Sequence, residues 1–184
     1  MLFLISIAAG AVAGLVTGGS LTRVRLDVRG GVLVIGVLAI RAVTQFTPLR
    51  GVDGAQYVWA LTLAAAVAWC VWNLHRLRGI WIVALGGGLN LAVILANGAR
   101  MPVSPDVATV RAHVVEYIAM TPDTRLNWLG DWIGIPGTAG SALWGAYSPG
   151  DIVLSAGAVV VVALAMRSRT RLGETGPRIV SDPP

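Results

Sequence analysis

The stretch Gly31–Thr47 reads GVLVIGVLAIRAVTQFT. Ten residues without a charged or polar side chain lead to Arg41, and Gln45 follows one helical turn later. Its length suits a membrane-crossing helix, which takes about 17–25 residues. A guanidinium at such depth costs about 2.5–3.5 kcal/mol on insertion scales, so Arg41 is expected to face other helices or a wet cavity. The alternative is a structural role, with Arg41 tied to backbone carbonyls or snorkelling outward.

Composition agrees with that reading. The chain has 184 residues, 55% of them hydrophobic and 12% charged. Soluble domains average about 25% charged residues, so this is membrane composition. Mean hydropathy is +0.74. All 14 basic residues are Arg. They are dispersed among loops without interleaved aromatics, which excludes a nucleic-acid surface. One Cys and two His exclude a disulfide framework and give no expectation of a metal site or cofactor.

Five runs are apolar enough to span: Leu2–Gly18, Gly31–Thr47, Ala55–Leu74, Ile80–Ala96 and Asp151–Met166. The expected fold is therefore an all-α membrane bundle forming a single domain over residues 1–166. A disordered cytoplasmic tail is expected over 167–184. The first run lacks a basic n-region, and Ala11-Val12-Ala13 comes too early for a cleavage site, so it is expected to remain as a helix. Nine Arg residues fall on one side (Arg23, Arg25, Arg29, Arg76, Arg78, Arg167, Arg169, Arg171, Arg178) and four on the other (Arg50, Arg100, Arg111, Arg125). The positive-inside rule then puts the N-terminus outside and the C-terminus in the cytoplasm. Small-residue stripes at Gly10/Gly14/Gly18 and Ala60/Ala64/Ala68, and the run Gly86-Gly87-Gly88, suit close helix packing.

Residues 97–150 form the only long segment between spans. Ser104-Pro105-Asp106 has the form of a helix start, and Val107, Val110, Val114 and Ile118 follow at helical spacing. An outer amphipathic helix is expected there, with His113 on its polar side. Leu126–Ile133 is too short to span and is expected to be interfacial or re-entrant, with Trp128 and Trp132 on one face.

Helix rise places Arg41, seven residues before Pro48, about 10 Å below the outer end. Gln45 lies on the same face, and Asn90 lies seven residues before Asn97 at a similar depth. Arg41, Gln45, Asn90, Asn97 and Arg100 are thus candidates to line one outward-open cavity. Guanidinium and carboxamide groups suit a phosphate or carboxylate, such as a membrane lipid headgroup. The alternative is an interhelical hydrogen-bond cluster that stabilises the bundle. Asp131 and Asp151 are candidate catalytic carboxylates, since two that meet share a proton and can activate water. Each can equally serve as a helix cap or pair with Arg41 or Arg100.

Asn97-Gly98-Ala99-Arg100-Met101-Pro102-Val103, then Leu129-Gly130-Asp131, then Tyr147-Ser148-Pro149-Gly150-Asp151 resemble the signature of a bacterial family of small polytopic membrane proteins, described only as a domain of unknown function. That resemblance implies a membrane bundle and no particular activity. Tyr147–Gly157, with Asn127 and Asp131 ahead of it, is similar to the last helix of lipoprotein signal peptidase and implies an aspartyl membrane hydrolase using Asp131 and Asp151. The chain departs from that enzyme in its five expected spans and in the absence of an Arg after Asp131. Two further readings stand beside hydrolysis: binding of an anionic group, and a structural role in a membrane complex, with another membrane protein or a second copy as partner.

Overall fold

A computed structural model describes residues 2–23, 28–46, 52–107, 115–135 and 145–167. Five α-helices account for most of it: α1 (Leu2–Val16), α2 (Gly31–Phe46), α3 (Ala55–Trp72), α4 (Ile80–Ala96) and α5 (Pro149–Arg167). Helices α3 and α5 are long and apolar enough to cross a membrane; α1, α2 and α4 are apolar but shorter. Between α4 and α5 lie four three-residue strands, β1 (Met101–Val103), β2 (Tyr117–Ala119), β3 (Ile133–Ile135) and β4 (Gly145–Tyr147).

The helices pack in the order α1, α5, α4, α3, α2, so the last helix in sequence sits between the first and the fourth. Small residues on both flanks of α5 allow this. On one flank, a Cβ at Gly10 would stand 2.9 Å from Val159 O, and one at Gly14 would meet Met166 Sδ at 2.5 Å. On the other, a Cβ at Gly86 would meet Gly150 O at 2.6 Å, and one at Gly157 would meet Val83 N at 2.6 Å. Such contact between backbones maximises van der Waals packing where no water is available to drive association. The Gly86-Gly87-Gly88 run stays helical within α4, in line with close packing.

Helix α2 is peripheral and leans on α3. Its half-buried positions include Val34, Val37, Arg41 and Thr44, the three-and-four spacing of one helix face. Arg41 therefore lies on the α2 face that leans on α3. A clamp fixes the start of α2. Arg29 N donates to Asn73 Oδ1 at 2.8 Å, while Asn73 Nδ2 (3.2 Å) and Trp69 Nε1 (2.7 Å) both donate to Arg29 O.

The segment after α4 folds back over the ends of α3 and α4. Strands β1 and β2 pair in parallel, with Met101 opposite Tyr117, and Asp131 bridges the other side of β1 at Val103. Strands β3 and β4 pair antiparallel. Ala99, Met101 and Leu129 from this cap pack with Ala60, Val93 and Ile94 of the helices, flanked by Trp59, Leu63, Leu89 and Tyr117.

One expectation for this segment is corrected. The amphipathic helix expected from Ser104 to Ile118 is absent at both ends: Ser104–Val107 is a turn closed by Val107 N donating to Ser104 O at 3.1 Å, and Tyr117–Ala119 is strand β2. Residues 108–114, His113 among them, lie outside the described residues. The reason is tertiary. Strand β1 offers backbone donors and acceptors that need partners, and the β-branched and aromatic residues near Tyr117 suit a strand. Leu126–Ile133, expected to be interfacial or re-entrant, holds one 3-10 turn (Asn127–Leu129) that ends at Gly130, after which the chain continues extended. Trp128 and Trp132 are still neighbours, because Trp132 Nε1 donates to Trp128 O at 2.9 Å.

Candidate functional site

Polar side chains gather where the cap between α4 and α5 meets the helices. The start of α5 is built first. Ser148 caps it, Pro149 takes the first helical position, where a missing N–H costs nothing, and Asp151 follows. Asp151 N donates to Ser148 Oγ at 2.9 Å, and Ser148 N donates to Asp151 Oδ2 at 3.3 Å. This reciprocal pair is a capping box, with Asp in the place of the usual Glu.

Asn90 of α4 closes the box into a ring. Ser148 Oγ donates to Asn90 Oδ1 at 2.8 Å, and Asn90 Nδ2 donates to Asp151 Oδ1 at 2.8 Å. Asn90 and Ser148 are buried, Ser148 fully, and Asp151 is half-buried. Gly150 makes it possible, because a Cβ there would collide with Asn90 Oδ1. The hydrogen bonds that hold the Asp151 carboxylate thus come from Asn90 and Ser148, not from Asp131.

Asn97 acts as a second staple. Its Nδ2 donates to Val93 O and Arg125 O, both at 2.8 Å, and its Oδ1 accepts from Arg125 N at 2.8 Å. Ala99 (φ 65°) and Leu126 (φ 56°) flank this clamp and are left-handed without being Gly, a conformation that costs about 1–2 kcal/mol each. The clamp over-determines them. Asp131 is anchored through its main chain: its N donates to Pro102 O and its O accepts from Ser104 N, both at 2.9 Å. It is buried at 2% exposure.

Arg41 has a different setting. Its Cζ lies 5.3 Å from the centroid of the Trp59 ring, within cation–π range. Trp59 in turn packs against Tyr117 of β2, with centroids 6.3 Å apart and rings inclined by 50°. Glu116, Tyr117 and Asp151 are near enough to act electrostatically on Arg41. Arg100 follows the turn at the end of α4, and its Nε is buried with no hydrogen-bond partner among the described residues.

The residues expected to share one cavity are therefore divided by role. Asn90 and Asn97 have their carboxamides engaged by the protein, Arg41 sits on an aromatic pair, and Arg100 retains a buried donor. The side chain of Gln45 lies outside the described residues. Trp59, Glu116 and Tyr117 were not among the expected site residues, since only β1–β2 pairing brings residues 116 and 117 above α3. The contact of Ser148 with Asn90 was equally hidden. The Ser148-Pro149-Gly150-Asp151 helix start was readable, but its partner lies 58 residues away.

No curated protein and no solved structure matches the chain, so neither comparison supports the likeness to lipoprotein signal peptidase. One family model does match, over residues 25–163, a stretch that includes α2, α3, α4 and every site residue named above. On that match the chain belongs to DUF5317, a family of unknown function.

Proposed function

We propose that the chain is a five-span protein of the bacterial plasma membrane, N-terminus outside, that binds an anionic group such as a lipid headgroup beneath its outer cap through Arg41 and Arg100. The observation that carries this reading is the buried Arg100 Nε, which has no hydrogen-bond partner among the described residues. A buried donor left unsatisfied costs about 1–3 kcal/mol, more when charged, and such groups in folded proteins generally have an acceptor. An oxyanion supplies one. Arg41 adds a second guanidinium, held over the Trp59 ring, whose planar fork suits an oxyanion.

The same geometry favours binding over hydrolysis. Both oxygens of Asp151 already accept hydrogen bonds within the cap of α5, and its carboxylate is accounted for without a catalytic role. A purely structural subunit is less favoured because Gly10 and Gly14 are filled by α5 of the same chain.

The test is native mass spectrometry of detergent-purified protein with added phosphatidylglycerol, for wild type, Arg41→Gln and Arg100→Gln, with thermal unfolding run in parallel. Wild type is expected to retain the lipid, and each variant to lose it while unfolding at a similar temperature. A wild type that carries no anion, or variants that keep it, would overturn the reading.

A further inference from the structure

The seam between α2 and α3 contains a cavity of about 450 Å³, lined by Val34 and Val37 of α2 and by Ala65, Ala68, Trp69 and Trp72 of α3. Its volume falls within the range of small-molecule pockets, about 300–1,000 Å³. Its walls are apolar throughout. One end is closed: Trp69 is pinned to Arg29 O, and Trp72 packs so tightly on Gly30 that a Cβ there would stand 2.8 Å from its ring.

Towards the other end the same two helix faces change character. On α2 the half-buried stripe Val34–Val37 continues directly into Arg41. On α3, Trp59 lies six residues before Ala65, beyond the end of the cavity. Arg41 and Trp59 meet there at 5.3 Å. The seam is thus an apolar trough about 10 Å long, from Trp72 to Ala65, with the Arg41 cation one helical turn beyond Val37 on the α2 side.

We infer that this trough holds one acyl chain of an anionic lipid whose headgroup lies at Arg41. The inference rests on the anion-binding reading above and names the ligand class: an anionic amphiphile rather than a free phosphate or carboxylate. The charge at one end and the apolar body match such a molecule end to end. A helix of a second copy does not fit, since a helix with its side chains is about 10–12 Å wide and α2 and α3 are already in contact along the seam.

The test compares a long-chain phosphatidylglycerol with a water-soluble short-chain analogue, titrated against the full-length protein in detergent. Ala65→Leu and Ala68→Leu fill the trough from exposed positions, so that either serves if the other fails to fold. Each is expected to weaken long-chain binding by about tenfold or more, the equivalent of two buried methylenes, and to leave short-chain binding unchanged. Arg41→Gln is expected to weaken both. Long-chain affinity unchanged in the filled variants but still dependent on Arg41 would overturn the trough and leave headgroup binding standing. Affinities for both lipids unchanged in Arg41→Gln would overturn headgroup binding itself.

Discussion

Asn90 Nδ2 donates to Asp151 Oδ1 at 2.8 Å, and the two residues share Ser148 as a third partner. A carboxamide in the interior of α4 therefore fixes where α5 begins. Because α5 is packed between α1 and α4, this contact sets the register of the helix that joins the first to the rest of the bundle.

Asn90→Ala is expected to destabilise the protein by about 1–3 kcal/mol, since Ser148 Oγ and Asp151 Oδ1 each lose a buried partner. Ser148→Ala should cost about 0.5–2 kcal/mol as a lost cap, plus its link to Asn90. Residues in one network couple, so the double variant should lose less than the sum of the two. Chemical or thermal unfolding of the three variants in detergent measures this. Strict additivity would mean that the ring does not act as a unit.

Gly86→Ala and Gly88→Ala offer a contrast two residues apart. A Cβ at Gly86 would press on the backbone of Gly150 and Leu154, whereas one at Gly88 meets nothing within 4 Å. The first should separate α4 from α5 and lower the unfolding temperature sharply. The second should stabilise by about 0.5–1 kcal/mol through helix propensity alone. Equal effects would contradict the packing of α5 on α4.

Leu126→Gly tests the strained turn beside the Asn97–Arg125 clamp. Removing an exposed leucine side chain ordinarily does little, but here it relieves a left-handed φ of 56°. The expected change is neutral to about 1 kcal/mol stabilising. Asn97→Ala, in contrast, releases the Arg125 backbone and should expose residues 121–126 to protease. Limited proteolysis with mass mapping reads out both effects.

Orientation is tested by cysteine labelling in intact cells. Cys70 is buried and provides a quiet background. Asp123→Cys and His75→Cys both place a thiol at an exposed turn. The topology proposed here predicts that a membrane-impermeant reagent labels the first and not the second. The opposite pattern would invert the bundle.

The lesson of Asn73, Asn90 and Asn97 concerns what a sequence can show. Read along the chain, a carboxamide near a span is a ligand candidate or an interhelical bond, and nothing local separates the two. In the folded protein all three are staples, bonded respectively to Arg29, to Ser148 and Asp151, and to Arg125. Each joins segments at least 28 residues apart. Unlike these, Arg41 was readable, because the cost of a charge in an apolar run requires it to face protein whatever the fold around it.

The start of α5 was legible too, since Ser-Pro-Gly-Asp carries its own capping chemistry, and so were the helical runs and the packing at Gly10, Gly14 and Gly86, though Gly18 and Gly88 pack against nothing among the described residues. These features depend on residues within a turn or two of one another. The cap did not follow the sequence pattern. Val107 to Ile118 has helical spacing, yet Tyr117–Ala119 pairs with Met101–Val103, and that pairing brings Glu116 and Tyr117 to Arg41 and Trp59. Helix and strand were both open to those residues, and the unpaired edge of β1 decided between them. Local chemistry determined the helices, while the composition of the site depended on which distant backbone was available to satisfy hydrogen bonds.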